Sequence, residues 1–397
     1  MKELSKLGVF ALLLTSSLTI MVGTVIAPSL NEISKHLGFT SNPGWLITLP
    51  SLGVVLFAPI MGRIIDRKGP YLVICLGLIP YALLGIAGAV LNNIYLVIAD
   101  RLLLGAATAA IQASGSGLIA EFYNGEKRVK MIAWQGMSIE IGGVVFLSLG
   151  GILGELGWQF PFLIYLIGIV CLIFIAMYIP RLQRSKVKGA EEIGDQLLSI
   201  KQEATISKEI LTISISSMFA MILFFVAFVG LPQYLPEMFK YTESDTGYFL
   251  AFISFIAVAF ASQMPRVIKI LGANLTVCLG FFLFSIGLFL FSIAQSNPLL
   301  YVSAMAMGAG FGFTVPLLNH MTIEHSNAGN RGKNLSYYSI GIFGGQFLSS
   351  FIGMLSSNLT TIFMISGSMA IIISIVLFIK DKLSTRNTVS LQMNNSN

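Results

Sequence analysis

Few ionisable residues of this chain fall inside its apolar runs. Glu140 stands in the middle of one run. Arg101 stands near the start of another, with Asp100 beside it. A carboxyl in apolar surroundings favours its neutral form, and a nearby guanidinium favours the ionised one. A Glu held between those influences can take up and release a proton, or hold a cationic group. If the runs lie in lipid, Arg101 costs at least about 2.5 kcal/mol and needs a partner or a wet cavity. The side-chain amides of Gln112, Gln135, Asn319 and Gln346 carry the same demand, because polar groups at membrane depth need partners or water. Trp134, Phe224, Phe228 and Tyr337 offer ring faces to an amphipathic organic molecule. Among the chain's 29 Phe, most serve packing alone.

Bond-making chemistry is not encoded. There is no phosphate-cradling G-x-x-x-x-G-K-[ST] stretch and no G-x-S-x-G elbow. No His/Cys set has metal-ligand spacing. Cys75, Cys171 and Cys278 all sit in apolar runs, where packing explains them. His36, His320 and His325 have no assigned role. The expectation is therefore no catalytic residue, no metal, no cofactor and no enzyme.

The elements that must position these groups follow from composition. Of 397 residues, 55% are hydrophobic and 11% charged, against about 25% charged in a soluble domain. That excludes a disordered chain, a secreted disulfide scaffold and an ordinary soluble enzyme. A membrane-crossing helix needs roughly 20 apolar residues. Twelve runs qualify, at 7–28, 45–62, 70–90, 95–120, 130–153, 159–180, 210–231, 246–264, 272–294, 298–323, 334–356 and 359–379. They are too long and too continuous for barrel strands. The first is too long for a signal-peptide core and is read as a retained helix. Glu140, ten residues into a helix starting near 130, would lie about 15 Å deep, close to the midplane.

All but Lys35, Lys240 and Arg101 of the 24 Lys and Arg fall on one side of this layout. By the positive-inside rule that side is the cytoplasm, and both termini lie there. The chain is expected in the plasma (inner) membrane, in contact with lipid and not with nucleic acid, since its net charge of +6 forms no basic face.

Residues 181–209 interrupt the apolar pattern with charge. The expected organisation is an N-terminal six-helix bundle (1–180), a cytoplasmic linker (181–209), a C-terminal six-helix bundle (210–380) and a cytoplasmic tail (381–397). The halves repeat at one offset of 203: Gly44 meets Gly247, Arg63 meets Arg266, Gly69 meets Gly272, Gly77 meets Gly280, Gly105 meets Gly308 and Arg128 meets Arg331. Parallel repeats imply a pseudo-two-fold axis along the membrane normal, with the binding site between them.

Gly62-Arg63-Ile64-Ile65-Asp66-Arg67-Lys68-Gly69 resembles the G-x-L-a-D-R-x-G loop of the major facilitator superfamily. Arg101-Leu102-Leu103-Leu104-Gly105 resembles its R-x-x-Q-G motif, with Leu104 where Gln is common. Gly142, Gly150, Gly151, Gly154, Gly157 and Trp158 partly match the motif of its drug:proton antiporters, although Phe146-Leu147 replace the Gly-Pro. The resemblance covers nearly the whole chain. It implies an all-α fold of twelve spans in two pseudo-symmetric halves. It implies that Gly62, Arg63, Asp66, Arg67 and Gly69, with Arg128 and Arg331, form a conformational latch that involves span 11. It also implies that Arg101 faces the central cavity and takes part in proton coupling. The linked expectation is a monomeric, proton-coupled exporter of a small amphipathic organic molecule. Uptake by symport or facilitation, or a non-transporting receptor, are the alternatives.

Overall fold

The computed structural model describes residues 4–181, 206–326 and 330–394. Among them the chain is helical and has no strand. The spanning helices are α1 (Lys6–Thr24), α2 (Trp45–Lys68), α3 (Pro70–Ala87), α4 (Ile94–Phe122), α5 (Gly125–Leu156), α6 (Ile167–Tyr178, entered through a 3-10 turn at Phe160–Leu166), α7 (Lys208–Phe239), α8 (Glu243–Leu271), α9 (Ala273–Ile293), α10 (Asn297–Glu324), α11 (Arg331–Gly353) and α12 (Leu359–Asn394). A short helix, Leu30–His36, lies between α1 and α2. Most of the linker at 181–209 falls outside the described residues.

Eleven of these elements are long and apolar enough to cross a membrane. The exception is α11. At 23 residues it has the length, but its Gly, Ser, Asn and Gln content lowers its hydropathy. It packs lengthwise on α7, itself a spanning helix, so it crosses the same layer. A polar helix can do so when neighbouring helices shield its polar face from lipid.

Side chains set the helix starts. Ser5, Asn93 and Ser207 accept from the first free amides of α1, α4 and α7, as N-cap hydroxyls and amides do. Thr242 and Asp245 cap α8 reciprocally. The stretch Gly62–Gly69 is helix as far as Lys68, and the turn is the single residue Gly69 (φ +82°). Its repeat partner Gly272 (φ +85°) joins α8 to α9 in the same way. Both φ values suit glycine and strain other residues.

The repeat extends to packing. A Cβ on Gly105 would strike the Pro50 carbonyl and Gly53, while one on Gly308 would come 2.6 Å from the Ile253 carbonyl and 2.8 Å from Ile256. Those partners are themselves 203 apart. Small residues at matched positions let α2 cross α4, and α8 cross α10, at backbone contact.

Between the halves, α5 packs on α8 and α2 on α11. The hydrogen bonds Thr48–Ser350, Ser51–Gln346 and Ser244–Glu155 cross this boundary at the end carrying the α1–α2, α5–α6, α7–α8 and α11–α12 connections. There a Cβ on Gly247 would lie 2.6 Å from the Leu147 carbonyl, and one on Gly151 would lie 2.5 Å from the Glu243 carbonyl. Toward the opposite end, Gly62, Gly136 and Gly332 have nothing within 4 Å of where a Cβ would sit; the same holds for Gly344 near the middle of α11 and for Gly353 at its last residue. These contacts join the halves at that end, the closed end; the opposite one, marked by Gly62 and Gly332, is the open end.

Candidate functional site

Glu140 lies near the middle of the 32-residue α5 and is half-buried. Its helix begins five residues earlier than the sequence pattern implied, because Asn124 and Gly125 (φ +55°) break the chain there. Among the described residues the Glu140 carboxyl has no hydrogen bond or ion pair. The Tyr338 hydroxyl donates to the Val315 carbonyl at 3.0 Å.

Arg101 goes elsewhere. Its Nε and Nη2 donate to Asp100 Oδ2 at 3.0 and 2.7 Å, and Nη2 also donates to the Leu84 carbonyl at 3.2 Å. Its guanidinium carbon lies 5.6 Å from the Phe162 ring centre and 6.0 Å from that of Tyr165. It is 1% exposed. Neighbours on a helix point about 100° apart. The long Arg side chain instead folds back to its neighbour. The pair sits inside the α3–α4–α6 packing at the closed end, not against Glu140. Arg101 Nη1 and Asp100 Oδ1 are buried and lack a partner.

The polar candidates divide. Gln135 is buried, donates to Ser16 at 3.1 Å and accepts from Ser116 at 3.3 Å, tying α5 to α1 and α4. Gln346 accepts from Ser51 of the other half at 2.6 Å. Gln112 and Asn319 are half-buried. The aromatics divide too. Phe224 stacks on Phe228 at 5.9 Å and meets Phe311 of α10 at 4.5 Å, all buried. Trp134 is 40% exposed beneath Lys130, 5.4 Å from its ring centre. Tyr337 is half-buried.

At the open end Arg63, Asp66, Arg67 and Arg128 are exposed. Gly62 lies beside them, and Gly69 forms the α2–α3 turn. The Arg331 side chain lies outside the described residues. No group of three His, Cys, Asp or Glu able to hold a metal occurs among the described residues.

Sequence reasoning missed the closed-end contacts. Thr48 lies 2.6 Å from Ser350, and Glu155 of α5 accepts from the Ser244 amide of α8 at 3.3 Å. Ser and Thr occur throughout the apolar runs, so nothing in the sequence singles out the pair that bridges the halves.

Known proteins share this architecture. The family model described as Major Facilitator Superfamily matches residues 12–349 and 213–393. The quinolone resistance protein NorA of Staphylococcus aureus is 28% identical over 198 residues, covering 49% of this chain and 51% of that protein. This chain thus spans about half the length of that relative. The tetracycline resistance protein, class B, of Escherichia coli is 25% identical over 300 residues, covering 75% of this chain and 74% of its own. Among solved structures, the nucleoside transporter NupG superposes with a TM-score of 0.72 at 13% identity, over 94% of this chain and 99% of that one. The xylose transporter XylE from E. coli gives 0.72 at 16%, over 93% and 95%. At such identities the structures speak for the fold alone.

Proposed function

The chain belongs to the Major Facilitator Superfamily, and from that premise we propose that it is a proton-coupled secondary transporter. It exports a small amphipathic organic molecule, drug-like or a metabolite such as a metallophore, by alternating access. The observation that carries export is the similarity to two resistance proteins, one covering three quarters of the chain.

The basic residues assign the open end to the cytoplasm and both termini with it. In the plasma membrane the molecule described here then faces inward. Two six-helix domains, 1–180 and 210–380, rock about the α2–α11 and α5–α8 contacts, and the chain works as a monomer. The stretch Gly62–Gly69, with Arg128 and Arg331, closes the cytoplasmic end in the opposite conformation.

Glu140 is the proton or cation carrier. It is a half-buried carboxyl at mid-helix depth, with no hydrogen bond or ion pair among the described residues. A lone acid there is costly unless used. Asp100 and Arg101 act from the side, as a buried brace that holds α3, α4 and α6 in register at the closed end. Gln112, Trp134, Asn319 and Tyr337 line the path of the cargo, and Phe224 and Phe228 form an apolar wall behind it.

Uptake is the second reading. It is favoured by Phe146 and Leu147, buried where the antiporter motif carries Gly-Pro, so that α5 runs unbroken by proline. Untargeted mass spectrometry of medium and cytosol separates the two. Cells with the intact protein and cells with Glu140→Gln are compared. A compound enriched in the medium only with intact protein supports export and names the cargo. Enrichment in the cytosol overturns export in favour of uptake.

A further inference from the structure

Two hydrogen bonds tie α2 to α11 at the closed end, one helical turn apart. Thr48 Oγ1 and Ser350 Oγ are 2.6 Å apart, and Ser51 Oγ donates to Gln346 Oε1 at 2.6 Å. Thr48, Ser51 and Ser350 are buried, so both bonds are shielded from water. Gln346 differs from the other three. It is half-buried, and its amide nitrogen takes no partner among the described residues. The Gln346 carboxamide thus sits half-buried at the α2–α11 boundary between the halves, its oxygen committed to Ser51 and its nitrogen free to take a further acceptor.

We propose that Gln346 is the residue through which cargo reaches the closed-end gate, an inference that rests on the transport reading above. Its Oε1 holds Ser51 while the end is shut. Its Nε2 offers two protons to an acceptor on the cargo, a carbonyl or carboxylate oxygen. A cargo that draws the carboxamide toward itself draws Oε1 off Ser51. The released hydroxyls have somewhere to go. Ser and Thr in helices bond back to the carbonyl four residues earlier, as Thr15, Thr108 and Ser217 do here. Thr48 already lies 3.1 Å from the Gly44 carbonyl. Opening thus leaves no hydroxyl stranded, which suits a contact made and broken in every cycle. A purely structural pair would gain nothing from an amide left half-exposed with its nitrogen free.

The test is oxidative cross-linking of Thr48→Cys with Ser350→Cys in the full chain, reconstituted in liposomes. Thr48→Cys alone reports any cross-link to the native cysteines, and an unchanged melting temperature shows that each variant folds. The expected result is a cross-linking rate several-fold lower with Gln346→Ala than with Gln346. A second expected result is that a quinolone, whose keto acid supplies acceptors, slows the reaction in the Gln346 protein, while tetraphenylphosphonium, a cation without acceptors, does not. Equal rates with Gln346 and Gln346→Ala overturn the gate role. Equal slowing by both compounds, or by neither, overturns the cargo contact. Cross-linking that depends on Gln346 while the mass-spectrometry comparison shows no cargo retires the transport reading and keeps the gate.

Discussion

The Arg101 guanidinium closes on the carboxylate of Asp100, its neighbour in sequence, at 2.7 Å. It does not join Glu140 on the next helix. The cation buried in α4 and the mid-helix acid thus have separate surroundings, and mutations at them should fail in different ways.

Arg101→Ala should damage the fold first. It strands Asp100, which is 5% exposed, and removing one partner of a buried pair costs about 3–5 kcal/mol. Thermal unfolding in detergent should show a large drop, and Asp100→Asn with Arg101→Ala should recover part of it. Arg101→Lys should not rescue, because Lys lacks the fork that reaches Asp100 and Leu84 together. An Arg101→Ala protein as stable as its parent would remove the brace.

Glu140→Gln should leave stability within about 0.5 kcal/mol, because no hydrogen bond or ion pair is lost. It should abolish accumulation driven by a proton gradient in liposomes. Purified Glu140→Gln protein with full proton-driven transport would sink the carrier role.

Glycine substitutions should sort by contact. Gly105→Ala and Gly308→Ala force α2 from α4 and α8 from α10, and overpacking of this kind costs about 1–3 kcal/mol or more. Gly136→Ala and Gly344→Ala meet nothing within 4 Å and should melt with the parent. A Gly105→Ala protein with an unchanged melting temperature would contradict the packing of α2 on α4.

The orientation predicts labelling. A membrane-impermeant maleimide added outside intact cells should modify Lys35→Cys and Lys240→Cys but not Lys68→Cys, which should react only after permeabilisation. The reverse pattern would place both termini outside.

The helices and their repeat were legible in the sequence because they rest on local chemistry. Apolar runs of bilayer length have no solution in lipid other than helices. Gly69 and Gly272 mark matched one-residue turns through their own backbone freedom. Gly151 and Gly154, legible as part of the antiporter-like motif, lie where α5 meets α8. Polar α11 was found by run length, although its hydropathy falls short. The partners of long side chains were not legible. Arg101 had two acids to choose from, and the rotation of α3, α4 and α6 about their axes decided for Asp100. Gln346 looked like a cavity amide, and only the crossing of α2 over α11 set its oxygen on Ser51. Sequence determines which residues lie in the membrane and at what depth, because depth follows from position along a helix. Which of them meet is decided by helix rotation and crossing, set by packing between segments some 300 residues apart, and no local pattern records that.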